Sequence, residues 1–283
     1  MSTCSGNCSS CSSSDCKDRD PHLKQNEYSD IKKIYAVVSG KGGVGKSSVT
    51  ALLATAMQSR GMQTAILDAD ITGPSIPKVF GITGQAEADA AGIIPKETKT
   101  GIRVMSVNLL LPQQDAPVVW RGPVISGAIQ QFFTDVAWGD VDYMFVDMPP
   151  GTGDVPLTVF QSLKVDGIIV VTTPQDLVGL IVSKAINMAS MMNVPVLGLI
   201  ENMSYFKCPN CDEKHYIFGK GSTDEVSEKF GIPVLAKLPI DMRTPNLEDK
   251  GAIELSDTDA IMPVIDNQQD GEGPYDSRQF PDI

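Results

Sequence analysis

Seven short apolar runs recur along the chain, separated by polar or amphipathic stretches. They are "IYAVVS" (34–39), "QTAILD" (63–68), "IRVMSV" (102–107), "DYMFVD" (142–147), "GIIVVT" (167–172), "VPVLGLI" (194–200) and "PVLAKL" (233–238). Several are apolar throughout, with little alternation. That is the signature of strands covered on both faces. Helical patterns intervene at 47–60, with Gly61 placed to end the helix, and near 123–137 and 177–192. A fourth begins at Ser222, where "STDE" fits a capping box between Ser222 and Glu225. Strand–helix alternation predicts an α/β fold, a single domain over 31–264 whose mostly parallel sheet carries helices on both faces. No internal repeat interrupts it.

The flanks read differently. Residues 1–30 are Ser- and Cys-rich and polar, and 265–283 are acidic and polar with no apolar stripe, so both read as tails. No run of about 18 apolar residues offers a membrane span, and no basic stretch followed by an apolar one opens the chain as a secretory signal. The net charge of −12, from 35 acidic and 23 basic side chains, is the wrong sign for a nucleic-acid binder that neutralises phosphates. The expectation is therefore no nucleic acid and no membrane. Six cysteines without a signal segment point to a reducing, cytoplasmic setting, where clustered thiols serve as metal ligands or redox groups.

"GKGGVGKS", residues 40–47, fits the phosphate-loop pattern G-x-x-x-x-G-K-[ST] and sits between a predicted strand and a predicted helix. Glycines let backbone N–H groups approach phosphate oxygens, and the helix N-terminus adds positive potential. Candidate nucleotide-binding residues are Gly40, Lys41, Gly42, Gly43, Val44, Gly45, Lys46, Ser47 and Ser48. Lys46 is expected to reach the terminal phosphates and Ser47 to ligate Mg²⁺. Asp147 ends an apolar strand where it could hold Mg²⁺ or its water, and Asp68 or Asp70, at the end of another, could orient a hydrolytic water. Lys41 is not required by the general motif. A lysine pointing away from its own site can serve a partner's, in the manner of an arginine finger.

Cys208 and Cys211 form a lone C-P-N-C. Two thiolates are half of a four-ligand site. The pair could be half of a shared metal centre, a zinc knuckle completed by His215, or a redox dithiol, although no thioredoxin-like context supports the last. His215 reads best as a polar loop residue. Cys4, Cys8, Cys11 and Cys16 follow C-x₃-C-x₂-C-x₄-C, which matches neither common ferredoxin spacing. Four cysteines in so short a stretch suggest a second cluster or a metal-loading arm.

Taken together, "SGKGGVGKS", "LDADITGPSIP", "WRGP", "VDMPPGTGD", "ENMSYFKCPNC" and "PID" resemble the Mrp/NBP35/ApbC family of P-loop iron–sulfur cluster carriers, within the deviant Walker A class of MinD and ParA. The resemblance covers roughly residues 31–262. It implies an ATP-binding carrier or scaffold that assembles a [4Fe–4S] cluster and passes it to apo iron–sulfur client proteins, with slow ATP hydrolysis. It implies a homodimer, or a heterodimer with a paralogue, that sandwiches two nucleotides. On that pattern Lys41 contacts the facing subunit's nucleotide, Asp70 orients water, Asp147 is the Mg²⁺-linked carboxylate, and Asn202 and Asp241 contact adenine. Cys208 and Cys211 would then bridge the cluster between subunits. The Cys4–Cys16 set departs from the longer first spacing of the eukaryotic NBP35 motif.

Three rival functions fit less well. A positioning ATPase like MinD would want a basic amphipathic C-terminal helix, yet Arg278 is the single basic residue after 264. A nitrogenase-iron-protein-like reductase uses cluster cysteines far apart in sequence. A zinc-stapled regulatory or positioning ATPase of the MinD/ParA type is the remaining alternative.

Overall fold

The computed structural model describes residues 22–71, 73–111, 122–151, 153–175 and 178–269. In chain order the elements are β1 (Ser29–Ser39), α1 (Lys46–Ser59), β2 (Thr64–Asp68), α2 (Ile76–Val79), β3 (Ala88–Asp89), β4 (Gly92–Ile93), β5 (Lys96–Glu97), β6 (Arg103–Ser106), α3 (Gly122–Thr134) and β7 (Gly139–Asp147). They continue with α4 (Asp154–Ser162), β8 (Gly167–Thr172), α5 (Val178–Met192), β9 (Val196–Lys207), β10 (Lys214–His215), α6 (Thr223–Phe230), β11 (Val234–Pro239), α7 (Arg243–Asp249) and α8 (Met262–Gln269). The fold is α/β, with a mostly parallel central sheet flanked by helices.

The main sheet runs β11–β9–β8–β1–β7–β2–β6–β5, with β10 also paired to β9. Every pairing in it is parallel except β5 with β6 and β9 with β10. Each of the seven apolar runs lies on a strand. β2 and β8 are buried at every position, as strands covered on both faces must be. β1 occupies the centre. Its chain leaves through α1 to β2 on one side, past β7, while β7 leaves through α4 to β8 on the other. Ligands of open α/β sheets bind where the order reverses in this way, outside the carboxyl ends of the strands.

The helix signals hold up in part. Gly61 (φ +83) closes α1 as predicted: its N–H donates to the Gln58 carbonyl and that of Met62 to the Met57 carbonyl, a Schellman pair. The capping box does not form. Ser222 makes no side-chain cap bond, and the adjacent Thr223 hydroxyl donates to the buried carboxylate of Glu201.

The packed domain reaches beyond 31 and 264. Leu23 donates its N–H to the Ser162 carbonyl and packs on the core, and Gln25 exchanges two hydrogen bonds with the backbone of Ile31. At the other end Val264 and Ile265 are buried on α8, which continues to Gln269. A helix of eight residues shows little periodicity to read in sequence. β9 also outruns its apolar core by seven residues, to Lys207. Its polar half is held by β11 and β10 rather than by apolar burial on both faces.

Candidate functional site

The phosphate loop leaves β1 at Ser39 and enters α1 at Lys46. Gly43 (φ +80) and Gly45 (φ +79) adopt the left-handed conformation that glycine takes without a Cβ penalty. Gly45 caps α1 with no side chain of its own, so the first-turn N–H groups of α1 are left for a ligand. Lys41, Gly42, Gly43, Val44, Gly45, Lys46, Ser47 and Ser48 line an open depression of about 200 Å³ together with Asp70 and Pro150. Gly40 sits behind it, against Ile181 of α5.

Beneath the loop, Asp147 ends β7, in register with Val37 of β1 and Asp68 of β2. It is fully buried. Its Oδ1 accepts from Lys46 Nζ at 2.5 Å and from the Thr50 hydroxyl at 3.1 Å, and its Oδ2 from the Ser47 hydroxyl at 2.6 Å. Burial pushes the Asp147 carboxyl up. The charge of Lys46 and the three hydrogen bonds push the other way. Asp68 is as deeply buried. Burial and then the neighbouring Asp147 charge raise its carboxyl well above the usual range. It accepts the N–H of Asp70 at 3.2 Å, which fixes the start of the segment that carries Asp70 into the depression. Of the two carboxylates at the end of β2, Asp70 therefore faces the ligand side and Asp68 braces the backbone. Ser47 and Asp147 present adjacent hard oxygen donors, the donor type that Mg²⁺ selects.

The polar half of β9 links this loop to the cysteines. Asn202 Nδ2 donates to the Val44 carbonyl at 2.9 Å, across the phosphate loop. The next residue, Met203, has φ +55, a strained value for a side chain other than glycine. Glu201, fully buried, accepts from the hydroxyls of Ser204 and Thr223. Farther on, the Tyr205 carbonyl accepts from Ile240 N–H at 2.7 Å. That brings Asp241 to the same end of the sheet. Burial opposes ionisation of Asp241, but the N–H of Arg243, the Thr244 hydroxyl and the Arg243 guanidinium together hold its carboxyl below the usual range.

β9 and β10 form a hairpin, with Lys207 opposite Lys214 and Phe206 opposite His215. Its tip is the C-P-N-C turn, closed by Cys208 N–H to the Glu213 carbonyl and Asp212 N–H to the Cys208 carbonyl, both at 2.9 Å. The backbone N–H of Asn210, then the N–H and thiol of Cys211, stabilise the Cys208 thiolate and hold its pKa below that of an ordinary thiol. Cys211 is exposed. Among the described residues no group of three or more His, Cys, Asp or Glu side chains is assembled to hold a metal ion. His215 stands about half exposed, 4.0 Å from Glu213, and does not complete a knuckle with the two cysteines.

The expected residues thus fall into three places. The loop from Gly40 to Ser48, with Lys41, Asp70 and Asp147, gathers at the carboxyl end of the sheet. Asn202 touches that loop, and Asp241 lies on the next strand end. Cys208 and Cys211 project on a hairpin beyond. Cys4, Cys8, Cys11 and Cys16 lie outside the described residues. Two residues went unnoticed in the sequence. Thr50 lies one helical turn after Lys46 and therefore on the same face, and Glu201 is a charge directly after the apolar run of β9.

A family model described as ParA, NUBPL iron-transfer P-loop NTPase, matches residues 30–267. An iron–sulfur cluster carrier protein of Methanocaldococcus jannaschii is 46% identical over 261 residues, 89% of this chain and 90% of that protein. One of Clostridium perfringens is 41% identical over 267 residues, 88% and 94% of the two chains. Among solved structures, a nucleotide-binding protein from Archaeoglobus fulgidus in complex with ADP superposes with a TM-score of 0.73 at 46% identity, covering 80% of this chain and 88% of that one. The cell-division ATPase MinD of Pyrococcus furiosus shares the fold, with a TM-score of 0.55 at 17% identity over 84% and 98% of the chains. With the family model matching residues 30–267 and these identities extending along most of the chain, the protein belongs to the iron–sulfur cluster carrier family of P-loop NTPases.

Proposed function

We propose that the protein binds ATP at the depression over α1 and carries a [4Fe–4S] cluster as cargo between two copies of its Cys208–Cys211 hairpin, delivering it to apo iron–sulfur proteins. The observation that carries this reading is the hairpin itself. It offers a pre-formed pair of thiols with one thiolate already stabilised, and no third ligand beside them among the described residues. A two-fold axis turns two thiolates into the four that such a cluster takes. The names of the relatives, iron–sulfur cluster carrier proteins, support the same cargo. The ADP complex of the Archaeoglobus fulgidus protein supports a nucleotide in the loop.

In this reading Lys46 and the loop N–H groups hold the phosphates, which compete with Asp147 for the Lys46 ammonium. Ser47 and Asp147 would hold Mg²⁺, whose charge offsets that of the phosphates. Asn202 and Asp241 contact the adenine, and Asp70 positions the attacking water. Lys41 completes the site of the facing subunit, so an isolated subunit turns over slowly. A partner paralogue in place of the second copy would satisfy the same ligand count. Separation of the subunits removes cluster ligands two at a time, which lets ATP at the same interface govern release. Cys4, Cys8, Cys11 and Cys16 are read as a second cluster-binding or loading arm.

Anaerobic reconstitution with iron and sulfide tests the cargo, with zinc measured alongside. Iron and sulfide should load on the intact chain and be lost from the C-P-N-C site in Cys208→Ala and Cys211→Ala. A protein that takes up zinc but no cluster at these cysteines would instead be a zinc-stapled ATPase. Repeating the analysis without residues 1–20 separates the two cysteine sets. Cluster delivery to an apo-acceptor at the same rate with and without ATP would count against coupling.

A further inference from the structure

The segment that carries both cysteines is bracketed by Ser204 on β9 and Thr223 at the start of α6. Both side chains are almost fully buried, and both donate their hydroxyls to one group, the carboxylate of Glu201: Ser204 to Oε1 and Thr223 to Oε2. Glu201 is itself fully buried and paired in register with Thr172 of β8 and Lys237 of β11. Gly221 (φ +66) packs so closely that a Cβ there would lie 2.9 Å from Glu201 Oε2 and 3.2 Å from Pro174. The return of the segment is therefore pressed against the carboxylate as well as bonded to it.

The other side of Glu201 faces the phosphate loop through one residue. Asn202 donates to the Val44 carbonyl. Between that bond and the Ser204 bond stands Met203, with its left-handed backbone. A conformation of that kind persists only where its surroundings over-determine it. Its two flanking residues are tied by these two hydrogen bonds, one to the phosphate loop and one to Glu201. A shift of the Val44 carbonyl must either break the Asn202 bond or turn the backbone at Met203. A turn at Met203 moves Ser204 against its carboxylate.

We infer that Glu201 is a positioning residue, whose carboxylate clasps both ends of the cysteine-bearing segment and, through Asn202 and the strained Met203, makes the posture of that segment depend on what the phosphate loop holds. The inference rests on the proposed reading of the loop as an ATP site and of Cys208 and Cys211 as cargo ligands. It adds the physical link between them. The link is local, three consecutive residues on one strand, and needs no path through the core.

Hydrogen–deuterium exchange of the full chain, with and without Mg-ADP or a non-hydrolysable ATP analogue, reads the link directly. In the wild type, nucleotide should change exchange across residues 203–216 by about tenfold, the scale of one hydrogen bond to a charged group. Glu201→Leu removes both acceptor atoms, and Thr223→Val keeps the shape of its side chain without the hydroxyl. Both should bind nucleotide within about threefold of wild type while the response at 203–216 falls below about twofold. Thr223→Ser restores the hydroxyl and should restore the response, which a merely structural role for the clasp does not require. A full response in Thr223→Val overturns the inference, and this pair decides the matter even where Glu201→Leu fails to fold. Nucleotide binding by calorimetry with no response in the wild type also overturns it, and leaves the carrier reading standing. Absence of nucleotide binding overturns both.

Discussion

Lys46 Nζ lies 2.5 Å from Asp147 Oδ1, and the two side chains are 6% and 0% exposed. Two charges so far from water are held there by each other and by the hydroxyls of Ser47 and Thr50. Removing one partner of a buried pair leaves an uncompensated charge and costs about 3–5 kcal/mol. Lys46→Met should therefore lower the unfolding free energy by about 3 kcal/mol, the low end because Asp147 can take up a proton. The double variant with Asp147→Asn should recover at least half of the loss. Urea denaturation of the four proteins in the cycle gives the coupling. A Lys46→Met midpoint equal to that of wild type would show that the pair does not hold the site.

Lys41 tests the trans arrangement. It lines the depression, but the proposal gives its charge to the facing subunit's nucleotide. Lys41→Ala should spare most ATP binding and depress steady-state hydrolysis by about 10²-fold or more, as loss of a transition-state charge does. Unchanged turnover would refute the role. Mixing the variant with a subunit defective at Lys46 should restore part of the activity if the sites exchange lysines.

A pH dependence follows at the opposite end of the sheet. Asp142 accepts from Lys32 Nζ at 2.6 Å and from Gln63 N–H at 2.8 Å, joining the starts of β1, β7 and β2. Lys32 first, then the Gln63 N–H, holds its carboxyl below the usual range. A carboxyl depressed in the folded state contributes stability above its unfolded pKa, and that stability is lost as pH falls through the folded value. The pair is largely exposed and screened by solvent, so its contribution is small. Asp142→Asn should lower stability slightly at pH 7 and not at all once pH is below the folded pKa. Chemical denaturation at the two pH values checks it. A loss that persists unchanged in acid would assign the effect to packing.

The apolar strands and the phosphate loop were legible in the sequence because each is decided locally. β2 and β8 are apolar at nearly every position, and the loop between β1 and α1 must carry glycine where φ is positive. Gly61 was legible as a helix end for the same reason. The second half of β9 was not. It mixes polar and apolar residues, it turns at Met203, and it is held as a strand largely by its pairing with β11 and β10. Glu201 was hidden with it: its partners Ser204 and Thr223 are 3 and 22 residues away, and Thr223 meets it only after the cysteine hairpin has folded back. α8 was missed because an eight-residue helix is too short to show a clear period.

The central claim is that the hairpin thiols of two chains share one cluster. Native mass spectrometry of the anaerobically reconstituted full chain weighs the cluster and the assembly together. The proposal predicts four iron and four sulfide associated with Cys208 and Cys211 at the mass of a dimer, absent from monomer and from Cys208→Ala and Cys211→Ala. A [4Fe–4S] cluster on a monomer at these cysteines, or a dimer cluster that survives both substitutions, would contradict it.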